Sequence, residues 1–134
     1  MMIAMKTLLH LLVGFGLYSS TRLAYREWTT GEACPAVGSV PACYVAFAGY
    51  AVMAIGLLLV SRGTQMRRLF NAGLFVAGGL ALVGTVLELV NGNVCPRVGS
   101  IPMCYISLAM SALIGVLFWQ STPKLPSVQS SGSE

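Results

Sequence analysis

The sequence has little charge, a single histidine and none of the usual catalytic patterns. Only 9% of its 134 residues are charged, whereas about a quarter of the residues of a soluble domain are charged. Segments that alternate apolar and polar residues, as barrel strands do, are absent. A C-x-x-C pair, a phosphate-binding loop and a basic stripe with interleaved aromatic residues are also missing. These absences exclude an ordinary soluble domain and argue against a nucleic-acid partner.

Long apolar stretches take the place of the missing charge. Hydrophobic residues make up 56% of the chain, and most of them fall in four stretches. Each stretch approaches or exceeds the ~17–25 residues with which a helix crosses a bilayer, and their richness in Leu, Ala, Gly and Val favours helices. The sequence therefore predicts an all-α, integral membrane four-helix bundle embedded in a lipid bilayer. The stretches are residues 7–24, 44–61, 69–90 and 105–119.

One phrase occurs twice in the chain. Residues 34–44 read C-P-A-V-G-S-V-P-A-C-Y, and residues 95–105 read C-P-R-V-G-S-I-P-M-C-Y, 61 positions later. The match extends backwards, because Glu27 aligns with Glu88 and Gly31 with Gly92. A fixed-period match of this kind indicates a duplication. It predicts two tandem helical hairpins in a parallel arrangement, related by a pseudo-twofold axis along the membrane normal.

The duplication divides the chain into units. Repeat unit 1 spans 1–61, a basic cytoplasmic turn spans 62–68, and repeat unit 2 spans 69–121; the Pro/Ser-rich tail 122–134 is predicted to be disordered. The stretch 7–24 resembles a signal peptide, but no small-x-small cleavage site follows it. It is also the counterpart of 69–90, so we expect it to be retained as a helix.

The distribution of lysine and arginine predicts the orientation in the membrane. The more basic side carries five residues and the cysteine side carries three. We therefore expect a bacterial inner-membrane protein whose termini are both cytoplasmic and whose cysteine loops are periplasmic or extracellular. The more basic side has Lys6, Arg62, Arg67, Arg68 and Lys124, and the other has Arg22, Arg26 and Arg97.

The cysteines pair most simply within each copy of the repeated phrase. Gly-Ser permits a tight turn between the two cysteines of a copy, and the proline before the second can start the next helix. Closing so short a loop stabilises by roughly 2–3 kcal/mol on the chain-entropy view. Four cysteines allow three connectivities, and pseudo-symmetry favours the disulfides Cys34–Cys43 and Cys95–Cys104.

Three interpretations of these cysteines remain open. They can be structural staples at the outer ends of the hairpins, a thiol–disulfide exchange system, or four thiolates that hold a metal ion. Exchange is favoured by a helix N-terminus or a nearby cation. Cys43 and Cys104 stand at predicted helix starts, and Arg97 follows Cys95 closely. Zinc sites favour two to four residues between cysteines, so the eight found here fit a metal poorly and no metal ligand is assigned.

The segment G-S-V-P-A-C-Y-V-A-F-A-G-Y, residues 38–50, is similar to the glycine–hydrophobic–proline segment that opens a helix in the vitamin K epoxide reductase family. A small four-helix bundle with paired outer cysteines also resembles the DsbB-type bacterial disulfide oxidases. The resemblance implies quinone as the electron acceptor and a shuttle role for Cys34 and Cys43. Those families use a C-x-x-C pair beside the quinone, and this chain has no counterpart of it.

Glu27 and Glu88 are the charged residues that the two units share. Each lies seven positions before the first cysteine of its unit, and an ionisable residue near a membrane is a candidate functional group. They form either a proton or quinone site, or interfacial carboxylates in solvent or bonded to the following loop. Glu88 lies among apolar neighbours, so we expect it to be the more buried. The lone His10 aligns with Asn71, and we assign it no cofactor.

The third predicted helix is rich in small residues, including Gly73, Gly78, Gly79 and Gly84. Such residues let helices approach closely, either within the bundle or against another subunit. The sequence favours an accessory or structural subunit that packs with other membrane proteins in a larger complex and needs no cofactor. The alternatives are an envelope thiol–disulfide oxidoreductase coupled to quinone, and metal binding or transport through Cys34, Cys43, Cys95 and Cys104.

Overall fold

The computed structural model describes residues 2–31, 34–59 and 63–121. Within them the chain forms four helices: three cover a predicted apolar stretch, and the second covers residues 44–58 of the stretch 44–61, so the prediction of a helical fold is confirmed. The tail 122–134 and residues 60–62, which end repeat unit 1 and begin the predicted turn, lie outside the described residues. The helices are α1 (Met2–Thr30), α2 (Ala42–Leu58), α3 (Thr64–Asn91) and α4 (Met103–Ser121).

The helices differ in their capacity to span a bilayer. In the described part of the chain, α1, α3 and α4 are long and apolar enough to cross a membrane, whereas α2 is a shorter apolar helix of 17 residues. At 1.5 Å per residue, α2 extends for about 25 Å, close to the lower limit for a span. It starts directly after Pro41, which has the extended backbone angles φ −62° and ψ 133°. Pro102 stands in the same place before α4.

Consecutive helices run antiparallel and pack as neighbours, and α4 also packs against α1. Both cysteine loops therefore lie at the same end of the bundle, which we call the loop end. The α2–α3 contact is the most extensive, and it is much larger than the α1–α4 contact. A twofold axis that relates the two units would make the α2–α3 and α1–α4 contacts equivalent. Because they differ in extent, the pseudo-twofold symmetry stays a prediction.

Glycines set the short distance between α2 and α3. A methyl group on Gly73 would lie 2.7 Å from the carbonyl oxygen of Gly49 and 2.8 Å from the backbone nitrogen of Met53. Gly56 meets the backbone of Phe70 in the same way, at 2.8 Å. Because backbone atoms cannot move aside as a side chain can, these glycines are required by the packing. Of the two roles that the sequence offers for the small residues of α3, Gly73 thus has packing within the bundle.

The apolar core occupies the end of the bundle away from the loops. Phe70 and Phe118 stack there with their ring centroids 3.9 Å apart. Several of the buried residues are related by the 61-residue offset, as Leu9 is to Phe70 and Met53 to Ile114. The buried polar residues Thr85 and Glu88 lie nearer the loop end. The core consists of Leu9, Val13, Tyr50, Met53, Leu57, Phe70, Ala77, Ile114 and Phe118.

A matched pair of substitutions tests the α2–α3 contact. Gly73→Ala should destabilise the bundle by about 1–3 kcal/mol, because the added methyl group overpacks two backbone segments. Gly79→Ala, on the same helix, meets nothing within 4 Å and should be neutral or stabilising by up to about 1 kcal/mol. Thermal unfolding of the detergent-solubilised protein, followed by circular dichroism, measures both. Equal melting temperatures for the two variants would contradict the described packing.

Candidate functional site: the disulfide-closed loops

Each cysteine loop contains a small β-hairpin. Strand β1 (Ala36–Val37) pairs with β2 (Val40–Pro41), and β3 (Arg97–Val98) pairs with β4 (Ile101–Pro102), in the same antiparallel register. The two residues between the strands are Gly-Ser in both units. Gly38 and Gly99 have φ of +69° and +67°, and the serines that follow do not have positive φ. This pattern belongs to a type II′ turn, which requires glycine at its first central position.

The disulfides close the bases of the hairpins. Cys34 bonds to Cys43 and Cys95 to Cys104, with Cα–Cα separations of 6.0 and 6.1 Å, within the ordinary range for a disulfide. This is the pairing that pseudo-symmetry predicts. The first amide of each following helix also binds back across the loop: Ala42 donates to the carbonyl of Pro35, and Met103 donates to that of Pro96, both at 3.0 Å.

In each unit a glutamate carboxylate accepts a hydrogen bond from the backbone at the start of the hairpin. The amide of Cys34 donates to Oε2 of Glu27, and the amide of Cys95 donates to Oε2 of Glu88, each at 3.0 Å. Glu88 also accepts the amide of Val94 at 2.7 Å. Both carboxylates therefore bond to the loop that follows, and a proton or quinone site at Glu27 and Glu88 stays a prediction.

The helix ends explain how the carboxylates reach the loops. Gly31 and Gly92 donate their amides to the carbonyls of Glu27 and Glu88, at 2.8 and 2.9 Å, with φ of +70° and +65°. Their positive φ reverses the chain over the last helical turn. A carboxylate at a helix C-terminus is unfavourable because the helix dipole is negative there. The loop amides that the reversal brings back offset this repulsion.

Unit 2 contains an ion pair whose arginine has no counterpart in unit 1. Nη2 of Arg97 lies 3.2 Å from Oε1 of Glu88, whose side chain is only 4% exposed. The position of Arg97 is occupied by Ala36 in unit 1. A buried carboxylate is costly without a counter-charge, so the arginine makes the burial of Glu88 tolerable. Glu88 is buried and Glu27 half-buried. The cation that the sequence placed beside Cys95 is thus engaged by the carboxylate.

Two residues of α3 contact Cys104, although sequence reasoning did not assign them there. A methyl group on Gly84 would lie 2.9 Å from Sγ of Cys104, so only glycine leaves room for the sulfur. Thr85 bonds to the carbonyl of Ala81 at 2.8 Å and approaches that of Cys104 at 3.4 Å. The counterparts in unit 1 are Leu23 and Ala24, so the repeat carries no signal for either residue.

The remaining candidates do not join the loops. His10 lies toward the other end of α1, where its Nδ1 is 2.7 Å from the carbonyl oxygen of Lys6. All four sulfurs are engaged in disulfides, and the described residues hold no group of three or more metal-ligating side chains. Cys43 and Cys104 are each the second residue of a helix.

Comparisons with protein-family models, with curated protein sequences and with solved structures give no match. The resemblance to disulfide-forming membrane enzymes therefore stays an expectation from residues 38–50 and from the bundle architecture.

Exchanging each glutamate for glutamine tests the support of the loops. Glu88→Gln should accelerate reduction of Cys95–Cys104 by about tenfold, because charge-assisted hydrogen bonds become neutral ones. Reduction of Cys34–Cys43 should be unchanged, and Glu27→Gln should give the reverse result. Timed alkylation in dithiothreitol with peptide mass spectrometry measures both rates in one sample. Equal acceleration of both disulfides by either variant would show that the carboxylates act on the whole bundle.

Proposed function

We propose that this chain is a small integral membrane protein whose disulfide-closed hairpins are structural staples on the extracytoplasmic side. It serves as an accessory subunit that packs against other membrane proteins in a larger complex. The observation that carries the proposal is the bond from each first-cysteine amide to Glu27 or Glu88. Glu27 and Glu88, which the sequence offers as a possible proton or quinone site, bond to the loops that follow them.

Insertion into a bilayer is supported by the outward faces of the helices. Phe75, Leu89 and Val90 of α3 are 82%, 70% and 75% exposed. A soluble monomer rarely exposes contiguous apolar surface on this scale, whereas a bilayer solvates it. The apolar lengths of α1, α3 and α4 point to the same environment. The charge distribution favours loops on the outer side, where an oxidising compartment keeps disulfides intact.

A structural role fits the disulfides better than an exchange role. A relay needs donor and acceptor pairs of different potential, and the two hairpins share their register and glutamate contact. The cation that Arg97 adds beside the second pair is bound to Glu88. In addition, Cys43 and Cys95 are 7% and 5% exposed, so each disulfide has one sulfur-bearing residue that is shielded from an attacking thiolate.

One observation favours the exchange alternative. Cys43 and Cys104 lie in the first turns of α2 and α4, where a helix N-terminus stabilises a thiolate. In that function a partner dithiol is oxidised to a disulfide while Cys34–Cys43 is reduced to two thiols. A quinone would then take up two electrons and two protons to restore it. Metal binding would require both disulfides to be reduced, so we do not propose it.

Two outward glycines support packing against a partner. A methyl group on Gly14 of α1 or Gly79 of α3 would meet nothing within 4 Å. Where an outward helix face carries glycine, the backbone of another helix can approach closely, and in lipid such packing drives association. Neither glycine is required for packing within the bundle, whereas Gly73 is.

Thiol accessibility separates the staple from the exchange function. We expect both disulfides of the folded protein to resist mild reductant, and both to become reducible after unfolding in denaturing detergent. Alkylation followed by mass spectrometry measures this. Cys43→Ala and Cys104→Ala, which leave Cys34 and Cys95 as free thiols, should trap no mixed disulfide in cells. Rapid reduction of the folded protein, or a trapped mixed disulfide, would overturn the staple role.

A bulky residue on the outward face tests the accessory role. Gly79→Leu should leave the melting temperature of the isolated protein within about 2 °C of the native value, because the site is open and the change is at the surface. In native gels of mildly solubilised membranes the same variant should shift from a large complex to the monomer. Migration of the native protein as a monomer under these conditions would contradict the accessory role.

A further inference from the structure

The outward face of α1 carries two polar side chains that have no partner within the bundle. Tyr18 and Arg22 lie one helical turn apart and both are exposed, Tyr18 to 62%. In the part of the chain that the structure describes, neither side chain forms a hydrogen bond or an ion pair, and the salt bridge joins Arg97 to Glu88. The bundle therefore leaves a guanidinium group and a phenol hydroxyl on its outer surface.

Aromatic residues near the loop end indicate how deep Arg22 lies in a bilayer. Tyr25 and Trp28, with 68% and 80% exposure, are typical of the membrane–water interface. At about 1.5 Å per residue, Arg22 lies about 4.5 Å below Tyr25 and about 9 Å below Trp28 along α1. Tyr18 lies one further turn away from the loops. Both polar side chains thus leave the helix at hydrocarbon depth, where an ionised group without a partner is costly.

Lipid headgroups are poorly placed to pair with Arg22. Side chains leave a helix toward its N-terminus, and the N-terminus of α1 is at the end of the bundle away from the loops. The arginine therefore leaves α1 toward the middle of the bilayer. The surface of α1 in the opposite direction is occupied by Tyr25 and Arg26, three and four positions later. Arg26 itself lies at the depth of the aromatic residues, within reach of water.

The corresponding face of α3 is apolar. The counterparts of Tyr18 and Arg22 are Gly79 and Val83, and Val83 is 51% exposed. The turn, the disulfide and the glutamate contact are the same in both units, so closing a hairpin does not require the arginine. Arg22 is a feature of unit 1 alone, and its role lies outside the hairpin.

The face that carries Arg22 permits a close approach by another helix. Gly14, Tyr18 and Arg22 are spaced by four residues, so they line one side of α1. A methyl group on Gly14 would meet nothing within 4 Å, and glycine on an outward face lets the backbone of a neighbouring helix come close. A helix packed on this face brings its own side chains within reach of the guanidinium group.

The counter-charge has to come from a different protein. A carboxylate pairs well with a guanidinium group because two parallel hydrogen bonds join them. Glu27 and Glu88 are the acidic residues that the structure describes, and both bond to backbone amides at the loop end. In a second copy of this chain with the same orientation in the membrane, neither carboxylate lies at the depth of Arg22.

We propose that Arg22 is the docking residue for a partner subunit, and that it pairs with an aspartate or glutamate in a transmembrane helix packed along Gly14 and Tyr18. The inference rests on the accessory role proposed above, and it identifies the partner by the chemistry of its contact. Ionisable residues inside a membrane pair with one another. A charge pair shielded from water also fixes the register of the two helices.

Removing a charge at two depths of the same helix tests the pair. Arg22→Gln should weaken the complex by roughly thirtyfold or more, as truncating one partner of a buried charge pair does. Arg26→Gln makes the same change one turn closer to the loop and should leave the affinity within about twofold of native, because an exposed charge contributes little. Native gels of serially diluted, mildly solubilised membranes measure both. The isolated Arg22→Gln protein should melt within about 2 °C of the native protein, because the residue is exposed.

A photo-crosslinker and a charge exchange identify the carboxylate of the partner. With p-benzoylphenylalanine in place of Tyr18, we expect cross-links to a transmembrane segment that has an aspartate or glutamate within one helical turn of the cross-linked residue. Arg22→Glu should dissociate the complex, because two carboxylates then face each other. Arginine in place of the partner's carboxylate should restore the complex with Arg22→Glu, and failure to restore it would contradict the pairing.

The outcomes separate the pairing from the accessory role. An intact complex with Arg22→Gln, equal dissociation by Arg22→Gln and Arg26→Gln, or a cross-linked segment without an acidic residue would overturn the pairing and leave the accessory role standing. Cross-links to lipid alone, in a protein that still migrates in the complex, would assign Arg22 to the headgroups and overturn the pairing as well. Migration of the native protein as a monomer would contradict the accessory role itself, and the pairing with it.

Discussion

The hydrogen bond from a cysteine amide to a glutamate carboxylate is the interaction on which the loop end depends. In each unit it links the last turn of one helix to the first cysteine of the loop at 3.0 Å. The bond gives the loop amide an acceptor, which a buried backbone group requires. It also gives the carboxylate a donor at a helix C-terminus, where the helix dipole is unfavourable for a negative charge. Glycine at the helix end makes the bond possible by reversing the chain. The disulfide then closes a loop whose geometry is already set.

Different interactions stabilise the two ends of the bundle. Away from the loops, apolar side chains pack in a core that includes the Phe70–Phe118 stack, and α2 and α3 are held close by glycines. Toward the loops, Thr85 and Glu88 are buried and bonded. In lipid, close packing and internal hydrogen bonds replace the hydrophobic effect as the source of helix association. Close packing contributes more at the end away from the loops, and internal hydrogen bonds contribute more at the loop end.

Much of this organisation follows from local sequence. Apolar length predicts the four helices, and the repeated phrase with Gly-Ser at its centre predicts the tight turn and the pairing of the cysteines. Contacts between distant segments do not follow in the same way. The contact of Gly84 with the sulfur of Cys104 depends on the register between α3 and α4, and the counterpart Leu23 gives no hint of it. Likewise, Arg97 is close to Cys95 in sequence, but its guanidinium lies against Glu88 because the reversal at Gly92 brings the two together.

The spacing of the disulfides has a consequence for how the protein is made. Each bond joins cysteines nine positions apart and consecutive in the chain. During synthesis, the first hairpin is complete before any residue of the second cysteine pair has been translated. Oxidation in order of appearance would therefore yield the native pairing without any exchange of partners. A membrane protein with closed loops is in this respect easier to assemble than a secreted domain whose disulfides interlock.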